Sequence, residues 1–264
     1  MSEVTKPFIL IAGPCVVESV DLLHEVCETI SPIAKECQFD FVFKSSFRKA
    51  NRTSIKGFTG IGDIQALEHI QAVSRHLNVR CTTDIHESHE AEMAAQYVDI
   101  LQIPAFLCRQ TELLQAAGAT GKIVNIKKGQ FLAPDDMGKQ AEKALHSGAH
   151  SVWLTERGTT FGYHDLVVDF RSLMIMKETH HPIIYDATHS LQLPGGGEQS
   201  GGLREFIKPL ARAAMGVGID GIFIETHPNP EKALSDSATQ FPLSQMKRFL
   251  YELAELRHVI TSFE

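Results

Sequence analysis

Five cysteines are all that the 264-residue chain carries, at positions 15, 27, 37, 81 and 108. Their number is odd, their spacing wide, and no Cys-x-x-Cys pair occurs. That argues against a disulfide framework and a four-thiolate zinc site, and implies a reducing compartment. No apolar run reaches the ~18 residues of a membrane helix, and Met1 to Lys6 show no charged stretch leading into an apolar one. A cytoplasmic protein with no membrane partner is expected. Positive charge is scarce too: 25 Lys and Arg against 32 Asp and Glu give a formal net charge of -7. Without a basic tail or cations interleaved with aromatics, no nucleic-acid partner is expected. Any phosphate this chain binds should be small and met locally. Two catalytic signatures are also missing, a Gly-x-Ser-x-Gly elbow and a Gly-x-Gly-x-x-Gly turn after the first apolar run.

What is present is a rhythm. Eight short apolar runs, each followed by an amphipathic segment, span Phe8 to Gly13, Phe39 to Lys44, Val79 to Thr83, Ile100 to Ile103, Lys122 to Ile126, Ser151 to Thr155, Pro182 to Asp186 and Gly221 to Glu225. Most are apolar enough to be buried on both faces, as parallel strands must be. The pattern predicts one (β/α)8 TIM barrel over residues 1–264, with no linker or repeat to divide it. An open doubly wound sheet uses the same rhythm and is the alternative. The Gly-rich segment Leu193 to Gly202 falls between the seventh run and its helix and reads as an active-site loop.

The runs end in chemistry. Cys15 follows the first, Lys44 and Ser46 the second, Asp84 and His86 the third, and Gln102 lies in the fourth. Lys127 follows the fifth, Glu156 and Arg157 the sixth, Asp186 and His189 the seventh, Glu225 and His227 the eighth. In a barrel these ends share the catalytic rim. Closure would bring Cys15, His189 and Glu225 together, and Asp236 could add a fourth ligand. A thiol, an imidazole and two carboxylates suit Zn, Fe or Mn better than Mg or Ca, although the spacing alone is no ligand signature. Lys44, Lys49, Arg52, Lys127 and Arg157 gather positive charge on the same rim, with Ser46, Asn51 and Thr53 as neutral partners. So many cations suggest more than one anionic group. A Schiff-base lysine at 44, 127 or 128 is the mechanistic rival.

Eight stretches carry a family likeness: AGPCVVES, FVFKSSFRKANRTS, TTDIHE, QIPAFLCRQT, NIKKGQF, TERGTTFGY, YDATHSLQLPGG and IETHPNPEKALSD. From Phe8 to Leu243 the chain resembles the 3-deoxy-D-manno-octulosonate 8-phosphate synthases, which join phosphoenolpyruvate to arabinose 5-phosphate. Sister enzymes using erythrose 4-phosphate carry Lys-Pro-Arg-Thr where this chain has Lys49-Ala50-Asn51-Arg52. The resemblance implies a metal-dependent enzyme, because Cys15 stands where metal-free members have Asn, with His189, Glu225 and Asp236 as the other ligands. It also implies that Lys44, Ser46, Lys49, Gln102, Lys127, Arg157 and His189 surround phosphoenolpyruvate. The sugar phosphate would be met by Ser46, Asn51, Arg52, Asp84, Phe106, Arg109 and Ser200. His189, Asp84, Lys44 and Lys49 are the implied catalytic residues. A homotetramer, with Arg109 reaching a neighbouring site, and a place in lipopolysaccharide inner-core synthesis follow from the same likeness. Two residues depart from the family pattern: Arg48 stands where Asp is expected, and Thr59 where Arg is expected.

Overall fold

A computed structural model describes residues 7–52, 55, 57–195 and 201–263. Its central feature is a ring of eight parallel strands. These are β1 (Phe8–Gly13), β2 (Phe39–Lys44), β3 (Arg80–Asp84), β4 (Ile100–Ile103), β5 (Ile123–Lys127), β6 (Ser151–Glu156), β7 (Ile183–Asp186) and β8 (Gly221–His227). Each pairs with the next in chain order, and β8 pairs with β1 from Ile9 opposite Gly221 to Gly13 opposite Glu225. This last ladder leaves the ring without an edge and excludes the open sheet. Helices α1 (Val20–Glu36), α2 (Asp63–His76), α3 (Glu90–Ala95), α4 (Thr111–Ala119), α5 (Met137–His146), α6 (Arg171–Lys177), α7 (Ile207–Gly216) and α8 (Met246–Thr261) follow the strands in turn. The expected (β/α)8 barrel is present.

Side-chain alternation explains why the strands read as apolar runs. Along β1, Ile9 and Ile11 join Val42, Ile100, Trp153, Ile184 and Phe223 in one small cluster. Phe8, Leu10 and Ala12, from the opposite face of β1, pack into the larger cluster shared with the helices. Both faces are therefore buried, and truncating Ile11 to Ala would cost about 2–5 kcal/mol. The helices follow the complementary rule. In α1, Leu23, Val26, Cys27, Ile30, Ile33 and Ala34 are buried at three- and four-residue spacing, and the Ser19 hydroxyl accepts the Leu22 N–H at the start.

Several strand limits differ from the sequence expectation by a residue or two, for local reasons. Pro182 has no N–H to give a ladder, and β7 begins at Ile183. Val79 N donates to Ser74 O and so belongs to the turn after α2, moving β3 to Arg80–Asp84. β5 extends to Lys127 and β6 to Glu156, so these charged residues are the last residues of strands. Beyond β8, Phe241–Pro242 pairs with Thr226 and His227, so the segment carrying Asp236 returns beside its strand. Gln192–Leu193 pairs antiparallel with Gly201–Gly202 at the foot of the Gly-rich segment. Ser200 and Thr53 lie outside the described residues. Among those described, no helix is long and apolar enough to cross a membrane.

Candidate active site

The site begins with a glycine. A Cβ on Gly13 would fall 1.9 Å from the Lys44 carbonyl oxygen, so β1 leaves the ring this close to β2 only because the position has no side chain. The two exits are then laced together: Ser46 N donates to Cys15 O at 3.2 Å and Val17 N to Ser46 O at 3.0 Å. Lys44 Nζ donates to Cys15 O at 3.1 Å. Cys15 is thereby fixed over the β1–β8 seam, two residues beyond the register pair of Gly13 and Glu225.

Cys15, Glu225 and Asp236 offer ligand atoms that all lie within 4.8 Å of one another, the one such group among the described residues. Three observations test its fitness for a cation. The Glu225 carboxylate is 1% exposed, and its Oε2 has no hydrogen-bond partner. Buried carboxylate oxygens are rarely left so. His189 Nε2 lies 3.5 Å from that oxygen, while His189 Nδ1 lies 2.8 Å from Asp186 Oδ2. A carboxylate behind an imidazole is the arrangement that orients histidine ligands. Finally, Lys49 Nζ sits 3.1 Å from Cys15 Sγ and 2.9 Å from Asp236 Oδ2, so positive charge is favoured at this point. Burial, then the Asp236 and Glu225 carboxylates, push the Cys15 thiol well above its ordinary value, and its Sγ–H donates to Asp236 Oδ2 at 3.0 Å. Burial alone would raise Glu225, but Lys44 and His189 outweigh it and hold this carboxyl low. The donor set is one soft atom among oxygens and nitrogen, which suits a transition metal or zinc.

A cavity of about 270 Å³ opens beside this group. Lys44, Ser46, Lys49, Asn51, Asp84, Phe106, Lys127, Arg157, His189, Glu225 and Asp236 all line it, as do Arg48, His86, Gln130 and Gln192. The centre of the Phe223 ring lies 3.7 Å from Lys127 Nζ and 5.5 Å from Lys44 Nζ. Lys127 donates to Asp186 Oδ2 at 2.7 Å and Lys44 to Glu225 Oε1 at 2.5 Å. Burial lowers the Lys44 ammonium, yet Glu225 and Asp84 more than offset it and leave Lys44 above its ordinary value. Arg157 gives Nη2 to Gln192 Oε1 at 2.7 Å, but its buried Nη1 has no partner. An unpaired guanidinium nitrogen in a cavity wall suits an anion.

Asp84 is held by a row of uncharged side chains. Thr155 donates to Asn125 Oδ1 at 2.7 Å, Asn125 Nδ2 to Gln102 Oε1 at 2.9 Å, and Gln102 Nε2 to Asp84 Oδ1 at 2.6 Å. Ser46 gives its hydroxyl to Asp84 Oδ2 at 2.5 Å. Gln102 is fully buried within this row, beneath the cavity rather than on its wall. Arg52 and Arg109 are exposed and also lie off the wall; Arg52 Nη1 donates to Lys49 O at 2.6 Å.

Arg48 answers its own departure from the family pattern. Its guanidinium pairs with Glu90 and, at 3.1 Å, with Asp63. Glu90 is 1% exposed and also accepts His86 N at 2.7 Å, so the arginine neutralises a buried carboxylate beside the loop after β2. Thr59 contributes through its backbone, its carbonyl accepting Lys49 N at 2.8 Å. Sequence reasoning had no signal for the Arg48–Glu90 pair or for Gln192. Asp186 was visible as a strand end, and its place three residues before His189 was the available hint.

The chain is similar to known proteins along nearly its whole length. A 2-dehydro-3-deoxyphosphooctonate aldolase from Cyanothece sp. is 53% identical over 253 residues, covering 96% of this chain and 93% of its own. Proteins of the same name from Francisella tularensis subsp. holarctica and Aromatoleum aromaticum are 50% and 51% identical, covering 97% and 95% of this chain and 94% and 91% of theirs. The model of the DAHP synthetase I family matches residues 4–262, and the chain belongs to that family.

Proposed function

We propose that this chain condenses phosphoenolpyruvate with D-arabinose 5-phosphate and water, giving 3-deoxy-D-manno-octulosonate 8-phosphate and inorganic phosphate. The observation that carries the reading is one cavity in which Lys44, Lys49, Lys127 and Arg157 stand beside Glu225 and Asp236 of the ligand cluster. The names of relatives sharing half the sequence support the eight-carbon product. Asn51 in Lys49-Ala50-Asn51-Arg52 favours the pentose over erythrose 4-phosphate.

Carbon 3 of phosphoenolpyruvate bonds to the aldehyde carbon, water adds at carbon 2, and phosphate departs with its bridging oxygen as the C–O bond breaks. Arg157, through its free Nη1, and Lys127 hold the phosphoenolpyruvate phosphate, with Lys44 and Lys49 near its carboxylate and enol. Asn51 and Arg52 meet the sugar phosphate, with Ser46, Phe106 and Arg109 around it. Clamping both reactants removes translational freedom worth several kcal/mol of barrier, up to about 7–11 in well-oriented systems. Held by Cys15, His189, Glu225 and Asp236, a divalent ion (Zn, Fe or Mn) would supply Lewis-acid polarisation and, above all, orientation of the aldehyde. Asp186 keeps the His189 ring turned toward Glu225, and the Gln102 row keeps Asp84 facing the cavity.

A Schiff base fits this site poorly. Lys44 is held cationic by Glu225 and Asp84, and Lys127 is engaged by Asp186. Lys128 lies off the cavity wall and points at Gly129 O, Leu132 O and Thr159. Borohydride should therefore trap no covalent adduct with a keto substrate. The reading is tested by phosphate release from phosphoenolpyruvate with arabinose 5-phosphate or erythrose 4-phosphate offered in parallel. Turnover with the pentose is expected; preference for the tetrose would move the chain to the heptulosonate branch. A cytoplasmic homotetramer, one catalytic barrel per chain, completes the proposal, and light scattering checks its size.

A further inference from the structure

Gln192 stands between the two halves of the site. Its Nε2 donates to Asp236 Oδ1 at 3.1 Å, and its Oε1 accepts Arg157 Nη2 at 2.7 Å. The other Asp236 oxygen, Oδ2, is the one that meets Cys15 Sγ and Lys49 Nζ. The other Arg157 terminal nitrogen, Nη1, is the buried one without a partner. A single carboxamide thus joins the back of a ligand-cluster carboxylate to the back of an anion-binding guanidinium.

The amide is also held in place. Its residue pairs with Gly202 in the short antiparallel ribbon. A Cβ on Gly202 would fall 2.2 Å from Thr239 Cγ2, so the ribbon is pressed against the segment carrying Asp236. Thr239 N in turn donates to Asp236 O at 3.1 Å. Direct contacts therefore run from Asp236 through Gln192 to Arg157.

We infer that Gln192 is a positioning residue that couples cation binding at Cys15, Glu225 and Asp236 to anion binding at Arg157. The inference rests on the reaction proposed above and adds a reciprocal link: whatever factor the cation contributes to anion affinity, the anion returns to cation affinity. A carboxylate drawn toward a cation pulls on the Nε2 end of the amide and so turns the Arg157 fork. Because Oε1 and Nε2 have different duties, either end can be removed separately.

The test measures binding without turnover. Phosphoenolpyruvate affinity is read by calorimetry with and without saturating Zn²⁺, and Zn²⁺ affinity by competition with a chromogenic chelator, with and without phosphoenolpyruvate. In the unmodified protein the two ratios should agree and be about five-fold or more. Gln192→Met, similar in length but unable to hydrogen-bond at either end, should bind each ligand and cut the ratio at least three-fold. Gln192→Glu keeps an acceptor for Arg157 but has no donor for Asp236, and should lose the coupling as the Met variant does. Undiminished coupling in either variant would overturn the inference while leaving the reaction intact. A ratio of one in the unmodified protein, with both ligands bound, would overturn it as well. Failure of Zn²⁺ to bind at all would sink both the inference and the metal-assisted reading beneath it.

Discussion

Lys49 Nζ stands 3.1 Å from Cys15 Sγ, so an ammonium of the chain's own rests against the thiol of the ligand cluster. The contact places Lys49 in two roles, as a cation near substrate and as a like-charged neighbour of any bound metal. Lys49→Met should tighten Zn²⁺ binding about ten-fold, since repulsion between close charges of one sign is relieved. The same variant should lower turnover at least a hundred-fold. Chelator competition and phosphate release check the two halves. Weaker metal binding in the variant would mean that the lysine supports ligation.

Cys15 supplies the soft donor of the cluster. Cys15→Asn is expected to lose metal retention yet keep a measurable fraction of its turnover, insensitive to EDTA, if the ion mainly orients the aldehyde. Complete loss of turnover in a folded variant that still binds phosphoenolpyruvate would assign the ion an indispensable chemical part.

The Arg48–Glu90 pair carries a prediction about stability. Glu90 is buried, and removing its partner leaves a carboxylate short of compensation. Arg48→Ala should lower unfolding free energy by about 1–3 kcal/mol and raise the KM for the sugar more than that for phosphoenolpyruvate. Urea unfolding and steady-state kinetics measure both. A sugar KM left unchanged would separate this pair from the sugar end of the cavity.

Acid should weaken the fold partly through Asp84. Burial by itself raises this carboxyl, but Lys44, Lys127, His86 and the Gln102 hydrogen bond together depress it below the ordinary range. A depressed carboxyl contributes stability that is fully present above its unfolded value of ~3.9 and is lost as pH falls toward its folded value. Asp84→Asn should therefore be less stable near neutral pH, by about 1–3 kcal/mol, and decline less steeply below about pH 4. Denaturant unfolding across that window decides it; parallel curves for the two proteins would remove Asp84 from the acid response.

Much of the barrel was legible because parallel strands buried on both faces leave apolar runs that repeat with their helices. Closure makes β1 and β8 neighbours whatever their distance in sequence, so Cys15, His189 and Glu225 could be grouped from the sequence with Asp236 as a possible fourth, whereas the structure gathers Cys15, Glu225 and Asp236 within 4.8 Å. His189 belongs to the same corner but reaches it from one edge, through Glu225. What stayed hidden were contacts set by side-chain reach. Gln102 reads as a strand-end group open to ligand, yet its amide is spent between Asn125 and Asp84, on register partners in β5 and β3. Arg48 finds Glu90 across 42 residues, and Gln192 finds Asp236 across 44, with no periodicity to announce either. Arg52 and Arg109 share the basic stretches that mark the rim, but composition cannot say which arginines turn inward.

Phosphoenolpyruvate labelled with oxygen-18 in its bridging position tests the central claim most directly. With arabinose 5-phosphate present and Zn²⁺ or Mn²⁺ restored after EDTA, the label should leave in inorganic phosphate, as breakage of the C–O bond requires. Label retained in the sugar product would mean that the P–O bond breaks instead, and would contradict the condensation assigned to this cavity.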